Sequence, residues 1–447
     1  MSAERCLRAL FAVVLFVASA AAHALLPIQH WETRGGARVY FVENRELPML
    51  DVSVEFPAGA AYDPREKSGL ARLTNQLLQL GTRTLDEDAI ARRTADVGAI
   101  LGRRFDTDRA GVALRTLSSA RERDQALSVL AAVLREPTFP APVLAREKVR
   151  TIAGIREADT RPETIAAVNF FRLTFRDHPY GQRQSGEAAT VEKLTRDDLA
   201  DFYRRHYVAR HAVIAIMGDV SRDEAARIAE ELTAGLPVGR EEAATLPPVP
   251  PLERSASRYV SHPSTQSHIL VGAPGIRRGD PEFFPILVGN HVLGGGGFVS
   301  RLMDEVRQKR GLAYSAYSAF TPLQRPGPFV IGMQTRQDQT KQALEVVDAT
   351  VRDFLANGPS DAELAAAKQN LTGSFPLRID SNGAIHEQLA LIGFYRLPLT
   401  YLDDWVKNVE AVTAAQVKAA FQRHFDAGRL VTVVVGADGE RTAARER

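Results

Sequence analysis

Tyr203-Arg204-Arg205-His206-Tyr207, followed by an apolar run over 212–217 and then Gly218, returns later in the chain as Phe421-Gln422-Arg423-His424-Phe425, an apolar run over 430–435 and Gly436. In both stretches the glycine comes twelve residues after the histidine, and the two stretches are offset by 218 positions. A second echo lies upstream: Ala58-Gly59 with Asp63-Pro64 is matched by Pro274-Gly275 with Asp280-Pro281, offset by about 216. Self-similarity at so long a period means one structural unit made twice.

Between the copies the chain reads LPVGREEAATLPPVPPLE, with Pro237, Pro247, Pro248, Pro250 and Pro251 close together. Such proline density makes a stiff, extended linker. The reading divides the chain into 1–24, an N-terminal domain over 25–236, a linker over 237–256 and a C-terminal domain over 257–447. Strand-like runs at 52–56, 212–217, 269–272, 329–333 and 431–435 lie among helical patterns at 120–134, 143–158, 196–206, 222–233, 341–356 and 360–371. Leu70, Leu73, Leu77 and Leu80 recur at helical spacing, with Gly81 placed as a C-terminal stop. The fold class expected is α+β, a two-layer helix-on-sheet domain formed twice.

The chain has 447 residues, long enough for two domains with real cores. Lys+Arg 56 against Asp+Glu 54 gives +2, a balance that does not suggest a nucleic-acid binder. Residues 1–24 hold Arg5 and Arg8, an apolar run from Ala9 to Val17, and small residues ending Ala22-His23-Ala24. That pattern is a secretory signal with an Ala-x-Ala cleavage site. The run is shorter than the roughly 20 residues that span a bilayer, so no stable membrane anchor is expected. The one cysteine, Cys6, leaves with the signal, and a cysteine-free exported chain suits an oxidising space such as the periplasm. Without cysteine, any metal site would need His and carboxylates.

Phe56-Pro57-Ala58-Gly59, then Gly69-Leu70-Ala71, then Leu80-Gly81-Thr82 resembles the opening of the pitrilysin or insulinase family, which includes the mitochondrial processing peptidases. The second half continues the likeness through Leu293-Gly294-Gly295-Gly296-Gly297-Phe298-Val299-Ser300-Arg301-Leu302 and Glu305-Val306-Arg307-Gln308-Lys309-Arg310-Gly311-Leu312-Ala313-Tyr314-Ser315. The resemblance implies two homologous domains forming half of a clam-shell. Active members of the family carry His-x-x-Glu-His directly after Gly-Leu-Ala. Here those positions hold Arg72, Asn75 and Gln76. The family's third ligand, a Glu some seventy-odd residues on, would fall near Ala153-Gly154, where no carboxylate stands. A guanidinium has no lone pair for a metal, so the expectation is no metal in this chain. Arg72, Asn75, Gln76 and Gln79 share one helix face opposite Leu70, Leu73 and Leu77. That face reads either as a solvated flank or as a place where a fixed cation has replaced the metal.

Arg307 and Tyr314 survive, seven residues apart across Gly311. Glu305 to Lys309 is an i,i+4 pair supporting a helix through Arg307, Gly311 suits its stop, and the alternation over 312–320 suits a strand leaving it. The two side chains should therefore lie near each other. In catalytic relatives the corresponding Arg and Tyr orient the scissile carbonyl and stabilise its oxyanion at a zinc site built by another domain. Both carry the right chemistry, a permanent charge and a phenol that donates near neutrality. The run Gly294, Gly295, Gly296 and Gly297 is not followed by Gly-Lys-Ser/Thr, which argues against nucleotide binding, and reads as a hinge where backbone approaches an extended peptide. The histidines at 30, 178, 206, 211, 262, 268, 291, 386 and 424 form no i,i+4 pair, and the repeat equivalents His206 and His424 read as structural.

The resemblance thus implies a non-zinc subunit of an exported heterodimeric metallopeptidase. Its partner would be a homologous chain bearing His-x-x-Glu-His and the zinc, and its substrates would be peptides. The alternatives are an inert assembly subunit or a solitary two-lobed peptide-binding protein.

Overall fold

The computed structural model describes residues 27–237 and 244–436; the expected leader, part of the linker and residues 437–447 lie outside the described residues. Strands β1 (Gln29–Glu32), β2 (Arg38–Glu43), β3 (Met49–Phe56), β4 (Ile100–Phe105), β5 (Ala110–Leu117) and β6 (Val213–Gly218) form one sheet in the order β1-β2-β6-β3-β5-β4. Strands β7 (Ala256–Val260), β8 (Gln266–Pro274), β9 (Ala313–Phe320), β10 (Pro328–Arg336) and β11 (Val431–Val435) form a second, in the order β7-β11-β8-β10-β9. Setting β1 aside, the orders correspond strand for strand. The parallel pairings, β2 with β6 and β7 with β11, are equivalent too. The expected α+β unit is present twice.

The repeated sequence shows why. Thr195 accepts the Asp198 backbone N–H and opens the helix Arg196–His206; Thr413 does the same with Gln416 to open Ala414–His424. Reciprocal caps of this kind typically stabilise a helix start by about 1 kcal/mol. Each helix then delivers its buried aromatics, Phe202 and Tyr203 or Phe421, to the core before the chain enters the central strand. The helix with the leucine spacing runs only from Leu70 to Leu77. Gly81 stands beyond its end at φ +153°, where an added Cβ would lie 2.7 Å from Pro140 Cγ, so close packing rather than helix termination explains it.

Two helices absent from the expected set join the halves. Pro162–Phe175 comes from the first half but packs on β8 and β11; Asn382–Tyr395 comes from the second half but packs on β2, β3 and β6. Phe170 presses on Gly272 of β8, and Tyr40 of β2 on Gly393, where an added Cβ would meet its ring at 2.6 Å. Arg38 donates to the Gly393 carbonyl at 2.9 Å, and Arg104 forms an ion pair with Glu387. At the join, the fully buried Asp108 receives the hydroxyls of Tyr180 (2.7 Å) and Tyr395 (3.0 Å) and the Gln324 backbone N–H (2.7 Å). The described part of the linker is strapped down rather than merely stiff: His178 contacts the Pro247 carbonyl, Arg176 that of Pro251, and Arg325 that of Leu246. Among the described residues no helix is long and apolar enough to cross a membrane.

Candidate functional site

The face of the helix Leu70–Leu77 that would carry a metal motif is a solvated flank only at Arg72, which is exposed; Asn75 and Gln76 are turned into the protein. Asn75, 1% exposed, donates to the Gly111 carbonyl at 2.9 Å and lies 3.4 Å from the Tyr207 hydroxyl. Gln76 donates to Glu147 at 2.6 Å. A carboxylate does face this helix, Glu147, buried on the helix Ala141–Ala158. The fixed spacing pointed to Ala153-Gly154, but the acid stands nearly two turns earlier. Its oxygens are also taken by Arg146 and Arg150, each at 2.8 Å. A zinc site needs His or carboxylate lone pairs converging on one point. Here the three motif positions hold two amides and a guanidinium, with no imidazole or carboxylate among them, and Glu147 beside them is already occupied by three donors, so the residues do not fit the ion.

Asp63 positions this helix by accepting the N–H groups of Gly69 (2.7 Å) and Ala71 (2.6 Å), and burial pushes its pKa up to about 7. Gly69 itself sits at φ +97°, against the Ser185 carbonyl and Gly186, where no side chain fits. Asp63 and Gly69 therefore keep the helix start in place although the metal-binding residues are gone.

The second candidate lies at one tip of the other sheet. Met303–Gln308 is a π-turn rather than the expected α-helix, with Lys309 N–H bonded to the Asp304 carbonyl five residues back. His291–Gly295 is another, closed by Gly296 N–H on the His291 carbonyl. Such turns insert a residue and re-aim the side chains that follow. The expected Glu305–Lys309 pair is present at 2.6 Å, and Gly311, at φ +61°, ends the turn with its N–H on the Arg307 carbonyl. The Arg307 guanidinium lies 5.0 Å from the ring centre of Tyr314 and 4.8 Å from that of Phe298. Tyr314 is 82% exposed. Among the described residues Arg307 has no ion pair or hydrogen bond, so its donors are free for a ligand.

Phe298 is held in place by Gln308, which donates to its carbonyl at 2.7 Å. Arg301 grips Glu363 with two nitrogens (2.6 and 2.7 Å) and Asp353 with a third, fastening the loop to the helices Thr340–Asn357 and Asp361–Ser374. That guanidinium holds the Glu363 carboxyl down at about 2. The glycines divide the work. Gly294 is buried, and its Cβ would fall 2.4 Å from Ser318 N; Gly297 takes φ +62° in open space; Gly295 and Gly296 lie on the turn between. Gly294 therefore serves packing against β9; Gly295 and Gly296 are closely approached as well, since an added Cβ would lie 2.7 Å from Asn290 Nδ2 and from the His291 carbonyl, and of the four glycines Gly297 alone meets open space. Phe298, Arg301 and Glu147 escaped the sequence reading; the first two lie inside the quoted motif, whereas nothing local marked Glu147.

The histidines are where a structural role puts them. His206 stacks on Phe202 at 4.3 Å, and burial pulls it down to about 4. His424 lies 3.1 Å from Glu282. Asp280, Glu282 and His424 could geometrically gather round a cation, but Glu282 is already engaged by Arg423, which lowers its pKa.

Two α+β units, an occupied carboxylate where metal ligands would stand and a solvent-facing Arg/Tyr tip define a peptidase-like half-shell whose motif positions do not fit zinc. Residues 38–187 match the model of Insulinase (Peptidase family M16), and residues 193–371 that of the Peptidase M16 inactive domain. The crystal structure of a peptidase M16 inactive domain from Pseudomonas fluorescens is 39% identical, covers 92% of this chain and 98% of its own, and superposes with a TM-score of 0.88. The "Non-peptidase homolog YmxG" of Helicobacter pylori is 24% identical, over 89% of this chain and 91% of its own length. An uncharacterised zinc protease of Streptomyces coelicolor is 30% identical over 56% of this chain and 55% of its own. The chain belongs to peptidase family M16. Within it, Arg72, Asn75 and Gln76 make it a pseudo-peptidase member.

Proposed function

We propose that this chain is the non-zinc subunit of a heterodimeric metallopeptidase exported to the periplasm, working beside a homologous subunit that carries His-x-x-Glu-His and the zinc. The observation that carries the reading is the Arg307–Tyr314 pair: a cation and a phenol in contact, turned to solvent, whose side chains make no hydrogen bond or ion pair among the described residues. Facing a peptide held by the partner subunit, Arg307 would direct N–H donors at the scissile carbonyl, and Tyr314 would add a neutral O–H donor. The edge strand β9 and the cleft of about 350 Å³ beside it, lined by Ala167, Phe171, Leu270, Tyr317, Val330 and Met333, would take an extended peptide and an apolar side chain. No cofactor is assigned to this chain; the zinc belongs to the partner.

A second reading, an inert assembly subunit, is favoured by the printed name of the Helicobacter pylori relative. Peptide cleavage by the co-purified pair separates the two. Removing one preorganised donor to an oxyanion costs roughly 3–4 kcal/mol, about a hundred- to a thousand-fold in kcat. Arg307→Lys and Tyr314→Phe should each cause a loss of this order while the pair still co-elutes. Unchanged kcat in both variants would leave the inert reading standing.

A further inference from the structure

The place where relatives bind zinc has not simply been emptied. Arg72 projects from the helix Leu70–Leu77, and Arg103 from β4, which packs beside it. Along β4, Leu101 and Phe105 turn into the core on the helix side, while Arg104 turns to the opposite face and pairs with Glu387. Strand alternation therefore puts Arg103 on the same side as Arg72. Neither arginine has an ion pair, hydrogen bond or ring contact among the described residues, although most other arginines in the protein do. Both remain open to solvent. Arg72 is nevertheless far enough into the protein that loss of water lowers its pKa, with the like charge of Arg103 adding to the effect.

The surroundings do not neutralise the pair. Glu147, the nearest acid identified on the facing helix, is held by Gln76, Arg146 and Arg150, and Arg146 also binds Glu87. Four guanidiniums thus stand around this face against two carboxylates. Two neighbouring cations left unpaired repel each other, and a folded chain retains that arrangement at a cost in stability unless an anion completes it. Guanidinium groups match a planar carboxylate through paired N–H donors.

We propose that Arg72 and Arg103 form a carboxylate-binding site, occupying the position of the lost metal centre and holding a peptide by its C-terminal or side-chain carboxylate. Only the ligand being a peptide rests on the function proposed above; the anion site itself does not involve Arg307 or Tyr314. A peptide so held would be retained without being cut, since no water-activating ion or base stands at this position.

The test uses the full chain and a fluorescein-labelled octapeptide of alternating Thr and Val, read by fluorescence anisotropy. Three forms are compared: the free acid, the C-terminal amide, and the amide with one internal Asp. The free acid, the Asp-containing amide or both should bind about tenfold tighter than the plain amide, and which of them does so identifies the source of the carboxylate. Arg72→Gln and Arg103→Gln should each abolish the difference, and 0.5 M salt should shrink it. Arg72→Gln should melt at or above the wild-type temperature, because a repulsion has been removed, so lost binding would not be lost folding. Equal binding of all three forms, no binding of any, discrimination that survives both substitutions, or Arg72-dependent binding of inorganic phosphate alone would overturn the proposal. Loss of peptide cleavage by an Arg307 variant would leave this result untouched, so the two ideas fail separately.

Discussion

Removing the Asp108 carboxylate tests whether the two halves of the chain are locked together as the hydrogen bonds indicate. Two of its three donors, the Tyr395 hydroxyl and the Gln324 N–H, come from the second half. Asp108→Ala leaves all three donors without their acceptor, and each buried unsatisfied group costs about 1–3 kcal/mol. Relief of a buried charge offsets part of this, because burial pushes the Asp108 pKa up against the pull of its donors. A net loss of about 3–5 kcal/mol is expected, the range for breaking a buried polar network. Asp108→Asn keeps the size and one acceptor oxygen, so about 1–2 kcal/mol should be lost. The pH dependence has a definite sign. A carboxyl whose folded pKa is raised stabilises the folded state most below its ordinary value of 3.8, and that contribution declines as pH rises above it. The gap between wild type and the non-titrating Asn variant should therefore be widest below 3.8 and narrow as pH rises toward neutrality. Thermal unfolding across pH, with hydrogen exchange followed in the helix Asn382–Tyr395, reads both effects. An Asp108→Ala protein that melts within about one degree of wild type, with unaltered exchange in that helix, would refute the reasoning.

Arg301→Ala should destabilise the tip at neutral pH by about 1–2 kcal/mol, a figure reduced for the solvent that reaches the ion pair. Glu363 is held down from 4.5 to about 2, so this stability is present above about 4.5 and lost as pH falls toward 2; wild-type and variant melting curves should converge over that window. Gly294→Ala, which forces a methyl group against Ser318, should cost about 1–3 kcal/mol and lower the melting temperature clearly. Gly297→Ala meets no neighbour and should cost only about 1 kcal/mol through its positive φ, so equal losses in the two variants would contradict the division of roles along the run.

The fold was legible because each copy carries its own local instructions. The caps at Thr195 and Thr413, the aromatic pairs after them and the closing glycines specify the same helix-to-strand passage twice, and most strand and helix ends fall within a few residues of expectation. The exchanged helices Pro162–Phe175 and Asn382–Tyr395 were not legible. Their apolar residues follow no single face, as Phe170 beside Phe171 shows, because each is packed between a distant sheet and its own half. The π-turns likewise leave no trace in periodicity, since each spans only five or six residues, too few to set a repeat of its own. At the candidate sites, Arg307 and Tyr314 were readable because Gly311 lies between them and ends the turn within a few residues of both. Glu147 and Arg103 were not, since each meets the helix Leu70–Leu77 only through tertiary packing, where sequence spacing is a poor ruler. Asn75 was misread as part of a surface flank because its buried partners, Gly111 and Tyr207, are remote in the chain.

Zinc content per purified chain, determined by elemental analysis after dialysis, bears most directly on the claim that this polypeptide assists a metal centre it does not itself possess. The account predicts far less than one zinc per chain. A value near one, resistant to dialysis and removed together with a peptide-cleaving activity of the isolated chain, would contradict it.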